Sequence, residues 1–212
     1  MITAIDEQHI LFADDAIVVV NKAADVLSVP GRGEHKQDCI WRRVQLRFPT
    51  ARIVHRLDYA TSGIMVLGLT AESHRHLSIQ FQDRLTEKNY QAIIAGRLEP
   101  ESGTVDQPLR CDWDNRPLQM IDPEQGKSAQ THWQVMQHLD NATRVKLTPI
   151  TGRSHQLRVH MQYLGHPILG DRFYAQPEQL ARAERLLLHA QALSFTHPSS
   201  QEPLSFSTPC PF

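Results

Sequence analysis

The chain has 212 residues, of which 41% are hydrophobic and 21% charged, as is typical of an ordinary globular domain. The formal net charge of −1 excludes the strongly basic composition that marks many nucleic-acid-binding domains, so RNA or DNA would need a local arginine surface. No apolar run approaches the roughly 18 residues that span a bilayer. The N-terminal residues also lack the basic start and apolar core of a signal peptide.

The cysteines exclude two further classes of protein. Cys39, Cys111 and Cys210 are odd in number, lie far apart and form no CxxC pair. This spacing argues against a disulfide framework and against a structural zinc site. We therefore expect a cytoplasmic protein with reduced thiols, folded as one domain over residues 1–212.

The first half of the chain alternates short apolar runs with polar turns. Two such runs flanking Asp14 and Asp15 predict a β-hairpin, and Pro49 ends a segment of helical spacing. The predicted elements are, in chain order, strands 9–12 and 17–21, helix 36–48, strands 53–54 and 64–69, helix 71–84, and strand 88–95.

In the second half, residues 106–127 are rich in proline and glycine and predict a long loop that is functional or mobile. The predicted elements that follow are strands 131–137 and 143–147, helix 151–164, and strands 186–195 and 204–206. Asn141 lies in the turn between the first two strands, Thr151 is a candidate N-cap, and Gly165 follows the helix. Strands dominate without a regular βαβ order, so we expect an α+β fold with a mixed, mostly antiparallel, bent central sheet and flanking helices.

The segment between strands 53–54 and 64–69 carries a concentration of reactive side chains. His55, Arg56 and Asp58 lie together where a strand ends in a turn, and Gly63 allows the backbone to bend before the next strand. Rigid strands that hold a polar loop are a common way to build an active site. The alternative is a surface turn with a local Arg–Asp pair, which would contribute little to stability.

The sequence HRLD at 55–58 and the TSG turn after it resemble the central motif of the RluA family of pseudouridine synthases. Further matching segments follow in the family's order: KNY at 88–90, ITGRSHQLRVH at 150–160, GHPILGD at 165–171 and LLHA at 187–190. The resemblance implies a pseudouridine synthase fold and an isomerase that converts uridine in RNA into pseudouridine. It also implies a catalytic domain without the S4 RNA-binding domain of several relatives, since the chain is too short before its first motif.

The resemblance also implies roles for individual residues. Asp58 corresponds to the catalytic aspartate, Tyr90 to the tyrosine that stacks on the target base, and Arg158 to the arginine that pairs with that aspartate. Arg56 corresponds to the arginine that fills the space left by the flipped base. RNA contacts are expected for Arg56 and for three further residues: His55, Arg153 and His155.

Two segments narrow the resemblance to the dual-specificity branch of the family: SVPGR at 28–32, and CDW at 111–113 with NRP at 115–117. This branch implies a hairpin loop of 23S rRNA and the anticodon stem-loop of tRNAs as substrates. We expect a monomer that uses RNA as its partner and requires neither a metal nor a nucleotide cofactor. Ala23 stands where the family usually has proline, and Leu118 where the branch has a charged residue.

Two alternatives come from other functional classes. A metal hydrolase is suggested by 12 histidines, of which His155 and His160 lie five residues apart. That spacing does not place both on one helix face, unlike an HExxH motif. A non-catalytic RNA-binding protein of the same fold is the second alternative, which the presence of Asp58, Tyr90 and Arg158 disfavours.

Overall fold

The computed structural model of the protein describes residues 2–212 and divides them into two compact units. The first unit comprises the described residues up to Lys88 together with Ala190–Cys210, and the second comprises Asn89–His189 with Pro211–Phe212. Among the described residues, none of the helices has the length and apolar character needed to cross a membrane.

Residues 2–212 form twelve strands and four α-helices. The strands are β1 Ile10–Ala13, β2 Ile17–Lys22, β3 Arg52–Ile53, β4 Ser62–Gly68, β5 Glu87–Ala95, β6 Ser102–Asp106, β7 Leu109–Cys111, β8 Gln119–Ile121, β9 Gln130–Leu139, β10 Ala142–Pro149, β11 Leu188–Thr196 and β12 Pro203–Ser207. The helices are α1 Ile40–Gln45, α2 Ala71–Gln82, α3 Gln156–Tyr163 and α4 Pro177–Leu180.

The first unit is organised around β4, whose seven residues are all buried. β4 pairs antiparallel with β2, with Val66 opposite Val19, and β11 is its neighbour on the other side. β1 and β12 extend this sheet, and α2 packs Leu77 into its apolar core. A strand that is buried along its whole length is a rigid support for the polar loop that precedes it.

The second unit contains the strand order β5-β10-β9-β6, with every pair antiparallel. A separate hairpin joins β7 to β8. α3 contacts β8 and β9, and its Val159 packs with Leu109, Ala129 and Tyr174 in one core cluster. The predicted α+β class with a mostly antiparallel sheet is therefore confirmed.

Most predicted elements are present at close to the predicted bounds. The hairpin β1–β2, the pair β3 and β4, helix α2 and strand β5 are confirmed. Asn141 forms the turn between β9 and β10 with a φ of 46°, as its position between the two strands predicted.

Three local predictions are wrong. The segment 106–127 is not only loop, because it contains the β7–β8 hairpin. α1 is shorter than predicted, and α3 begins at Gln156 rather than near Thr151. The hydroxyl of Thr151 donates to Oε1 of Gln156 at 2.6 Å and caps no helix. Gly165 does end α3, with a φ of 83° and its N–H donating to the Gln162 carbonyl.

Candidate active site

The loop 55–58 is held in the first unit by a side chain from a distant part of the sequence. Ser28 Oγ donates to the Leu57 carbonyl at 2.7 Å and accepts from the Leu57 N–H at 3.0 Å. The hydroxyl thus satisfies both backbone groups of a buried residue, as a neighbouring strand would. The backbone immediately before Asp58 is therefore fixed.

A buried lysine holds the other side of Asp58. The Lys22 ammonium, which is fully buried, donates to the carbonyls of Ala23 at 2.9 Å, Val26 at 2.8 Å and Tyr59 at 3.2 Å. A buried cation is tolerated only with such partners. Asp58 itself is half-buried, and its carbonyl accepts from the Thr61 N–H at 3.2 Å. The loop therefore presents Asp58 from a backbone anchored at both neighbouring residues.

Arg56 and His55 differ in environment although they are adjacent. Arg56 is exposed, as an RNA contact requires. His55 Nε2 accepts from the Val66 N–H at 3.1 Å, and its ring stacks on Phe81 with centroids 4.4 Å apart. Burial, with a smaller effect of the Lys88 ammonium, lowers the pKa of His55 to about 3. His55 is therefore neutral and links the loop to β4 and α2.

Arg158 lies on α3 in the second unit and is almost fully buried. Its Nε and Nη2 each donate to one oxygen of the buried Asp171 carboxylate at 2.7 Å. Oδ1 of Asp171 also accepts from the backbone N–H of Phe173 at 2.9 Å. The guanidinium lies over the rings of Phe173 and Tyr174, at 5.2 and 5.1 Å from their centroids. This fork-to-fork geometry fixes the plane of the guanidinium.

Asp171 is a site residue that the sequence did not single out. It occurs in the GHPILGD segment, which supported the family resemblance without any role for its aspartate. The signal that could have identified Asp171 is a carboxylate directly after a glycine, Gly170, which forms a tight turn. Nothing local in the sequence indicates which arginine it binds, because Arg158 precedes it by 13 residues.

His155 occupies the N-cap of α3 in the left-handed region, with a φ of 54°. Its Nδ1 is hydrogen-bonded to the Tyr174 hydroxyl at 2.7 Å, and its ring stacks on Phe173. The same hydroxyl accepts from the Gln119 N–H of the β7–β8 hairpin at 2.9 Å. Tyr174 therefore connects the beginning of α3 to this hairpin.

The turn before α3 is organised by Gln156, which is buried and was not predicted as a functional residue. Its Oε1 accepts from the Arg153 N–H at 3.0 Å, and its Nε2 donates to the Gln130 carbonyl at 2.9 Å. The Arg153 side chain is exposed, with Nε donating to the Ser128 carbonyl at 3.0 Å. The turn thus presents Arg153 to solvent from a fixed backbone.

Tyr90 lies on β5, where the sequence predicted it, directly opposite Leu147 of β10. Its side chain is half-buried. The residue before it, Asn89, accepts a hydrogen bond from the Thr148 hydroxyl at 2.9 Å, which fixes the register of the two strands at this point.

The histidines that suggested a metal site have other partners. His160 is fully buried, with Nδ1 bonded to the Thr131 hydroxyl at 2.9 Å and Nε2 to the Gln107 carbonyl at 3.0 Å. Burial lowers its pKa. Across residues 2–212, no three His, Cys, Asp or Glu side chains form a group that could bind one metal ion.

Comparisons with known proteins identify the family. A family model described as RNA pseudouridylate synthase matches residues 16–163. The dual-specificity RNA pseudouridine synthase RluA of Escherichia coli strain K12 is 53% identical over 204 residues, which cover 96% of this chain and 93% of that protein. The protein of the same name from Vibrio vulnificus strain CMCP6 is 50% identical over 209 residues, which cover 96% of this chain and 84% of that protein.

A solved structure has the same fold. The structure of human RNA pseudouridylate synthase domain containing 1 superposes with a TM-score of 0.81 at 31% identity, covering 96% of this chain and 83% of that one. The motifs in the sequence, the fold and the identity to curated relatives agree, and the chain therefore belongs to the RNA pseudouridylate synthase family.

Proposed function

We propose that this isomerase acts on two kinds of RNA, a hairpin loop of 23S rRNA and the anticodon stem-loop of tRNAs, with Asp58 as the catalytic carboxylate. The observation that carries the proposal is the 53% identity, over 96% of the chain, to a relative described as dual-specificity. The two hydrogen bonds between the Ser28 hydroxyl and the Leu57 backbone support the proposal, because they give the SVPGR segment a role at the loop that carries Asp58.

The reaction breaks the N1–C1′ bond of uridine, turns the uracil and joins C5 to C1′. The proton on C5 leaves and N1 gains one, so the reaction needs no redox step and transfers no group to another molecule. Asp58 would act either as a nucleophile at C1′ or by assisting formation of a glycal. Arg158 would keep the carboxylate ionised and oriented, since an opposite charge favours the charged form. Its rigid mounting on Asp171 supports that positioning role.

The remaining site residues would act on the RNA. The target nucleotide must leave its stack, which costs least in an unpaired loop. We infer that Arg56, exposed beside Asp58, occupies the vacated position and that Tyr90 stacks on the flipped base. Contacts of Arg153, His155 and His55 with RNA stay predictions, as does a monomeric state. Substrates of this kind also imply a cytoplasmic location.

Asp58→Asn tests the catalytic assignment. The change keeps the size of the side chain and removes its charge, so pseudouridine formation in a target stem-loop should fall below detection. Thermal stability and the Kd for RNA should stay close to those of the wild-type protein. Asp83→Asn, at an exposed aspartate after α2, is the matched control and should retain full activity. Near-normal turnover by Asp58→Asn would refute the assignment, because another group would then have to carry out the reaction.

Dual specificity is tested with short stem-loops from both RNAs. Pseudouridine mapping should show modification of both by the wild-type protein, and Arg56→Ala should slow both in parallel. Arg75→Ala, at an exposed arginine of α2, serves as the control for loss of one surface charge. Modification of only one stem-loop would contradict dual specificity and leave the synthase assignment intact.

A further inference from the structure

An exposed aromatic side chain marks the tip of the β7–β8 hairpin, residues 112–118. Trp113 is 63% exposed, although tryptophan is ordinarily among the more buried residues. The Arg116 guanidinium lies over its ring at 4.7 Å from the centroid. Both residues belong to the CDW and NRP segments, which none of the roles assigned above uses.

The tip is held in one conformation by its own hydrogen bonds. The carboxylate of Asp112 accepts from the Asn115 N–H at 3.3 Å and from its Nδ2 at 3.0 Å. Arg116 Nε donates to the Trp113 carbonyl at 3.2 Å, and the Asp112 N–H donates to the Leu118 carbonyl at 3.0 Å. The indole and the guanidinium are therefore arranged together before any ligand binds, which reduces the ordering cost of binding.

The base of the hairpin is fixed to the site residues of the second unit. An ion pair joins Arg110 of β7 to Asp122, the residue that follows β8. The Gln119 N–H donates to the Tyr174 hydroxyl at 2.9 Å, and that hydroxyl is bonded to Nδ1 of His155 at 2.7 Å. The position of the tip relative to α3 is therefore defined by direct contacts.

We propose that Trp113 and Arg116 form a stacking platform for one unpaired base of the substrate RNA, an inference that rests on the proposed function. An indole with a guanidinium held on it offers a flat surface on which any base can stack. Single-stranded loops are the part of an RNA whose bases are open to such contacts. Asp112 and Asp114 place two carboxylates in the same tip, so its charge does not favour phosphate. The tip therefore recognises a base rather than the RNA backbone.

The test compares Trp113→Ala with Trp113→Phe. In the Asp58→Asn background, Trp113→Ala should raise the Kd for the stem-loop about tenfold, within the range that stacking of one base contributes. With Asp58 intact it should raise KM similarly and leave kcat unchanged, and Trp113→Phe should restore most of the affinity. Met136→Ala, at a 49% exposed apolar residue of β9, is the matched control and should change neither constant.

Two further measurements separate base stacking from other roles. The dependence of log Kd on log salt should have the same slope in Trp113→Ala as in the wild-type protein, because no phosphate contact is removed. RNA should quench tryptophan fluorescence in the wild-type protein and markedly less in Trp113→Phe, which retains Trp41 and Trp133. A reduced salt slope or unchanged quenching would overturn the platform.

If the wild-type protein modifies the stem-loops and Trp113→Ala binds and modifies them equally well, the platform is wrong and the proposed function stands. If the wild-type protein modifies neither stem-loop, both are wrong.

Discussion

Replacing Asp171 by alanine removes the carboxylate that accepts hydrogen bonds from Nε and Nη2 of Arg158, each at 2.7 Å. The relative exposure of the side chain is 0% for Asp171 and 4% for Arg158, so bulk water does not reach the guanidinium that loses these acceptors. The backbone N–H of Phe173 loses its acceptor as well. Each of these consequences destabilises the folded state.

The magnitude follows from the burial of the pair. Removing one partner of a buried ion pair costs about 3–5 kcal/mol, because the remaining buried charge loses the hydrogen bonds and the opposite charge of that partner. For a chain of this size, 1 kcal/mol changes Tm by about 2–4 °C, so Tm of Asp171→Ala should fall by about 6–20 °C. Asp171→Asn keeps one acceptor oxygen, so its Tm should fall by less than that of Asp171→Ala.

Thermal denaturation followed by circular dichroism measures the effect. Arg97→Gln breaks the exposed pair of Arg97 with Glu99 and should leave Tm unchanged within error. The double variant Arg158→Met with Asp171→Leu removes both charges and should be more stable than Asp171→Ala. A Tm decrease below about 2 °C for Asp171→Ala, or a double variant less stable than the single one, would refute the reasoning.

Three further predictions concern glycine geometry, pH and metal. Gly63 has a φ of 122°, and a Cβ there would lie 2.3 Å from the Ala190 carbonyl oxygen. Gly63→Ala should therefore lower the free energy of unfolding by about 1–3 kcal/mol. Gly152→Ala, whose Cβ would meet nothing within 4 Å, should be neutral in the same denaturant titration. Burial lowers the pKa of His55 to about 3 and of His189 to about 4, so both stay neutral when folded but protonate near pH 6.5 when unfolded. The contribution of these neutral histidines to the free energy of unfolding should be complete above pH 6.5 and decrease as the pH falls towards 4. Equal Tm values at pH 7 and pH 4.5 would contradict this. Activity should survive exhaustive EDTA treatment without added nucleotide, since the isomerisation is neither a redox nor a phosphoryl-transfer step; rescue by one specific metal after loss would contradict it.

Periodicity in the sequence was sufficient to predict the elements that are stabilised locally or that have an unambiguous apolar pattern. The run of apolar residues in β4 predicted a strand, and the helical spacing around Leu77 predicted α2. Both elements are present at nearly the predicted bounds. The predicted helix 71–84 extends two residues beyond the end of α2 at Gln82, and Leu85, which follows, is 66% exposed. Periodicity indicates which side chains are apolar, but it does not indicate where neighbouring elements cover them.

The start of α3 shows why a local signal can mislead. Threonine is a residue type that often caps helices, but the Thr151 hydroxyl donates a hydrogen bond to the side chain of Gln156. The amide of Gln156 in turn donates to the Gln130 carbonyl on β9. The β7–β8 hairpin was missed for a related reason. Its short strands pair with each other and pack Leu118 and Ile121 on the cluster of α3, which no local pattern in 106–127 reveals.

The sequence by itself determined the reaction class, because the motifs around Asp58, Tyr90 and Arg158 occur in family order along one chain. Only the tertiary structure revealed what holds these residues: Ser28 and Lys22 on the loop of Asp58, and Asp171 on Arg158. The physical reason is that these supports are hydrogen bonds and ion pairs between residues 13 to 37 positions apart. Such pairs form only where folding brings buried polar groups together and excludes the water that would otherwise satisfy them.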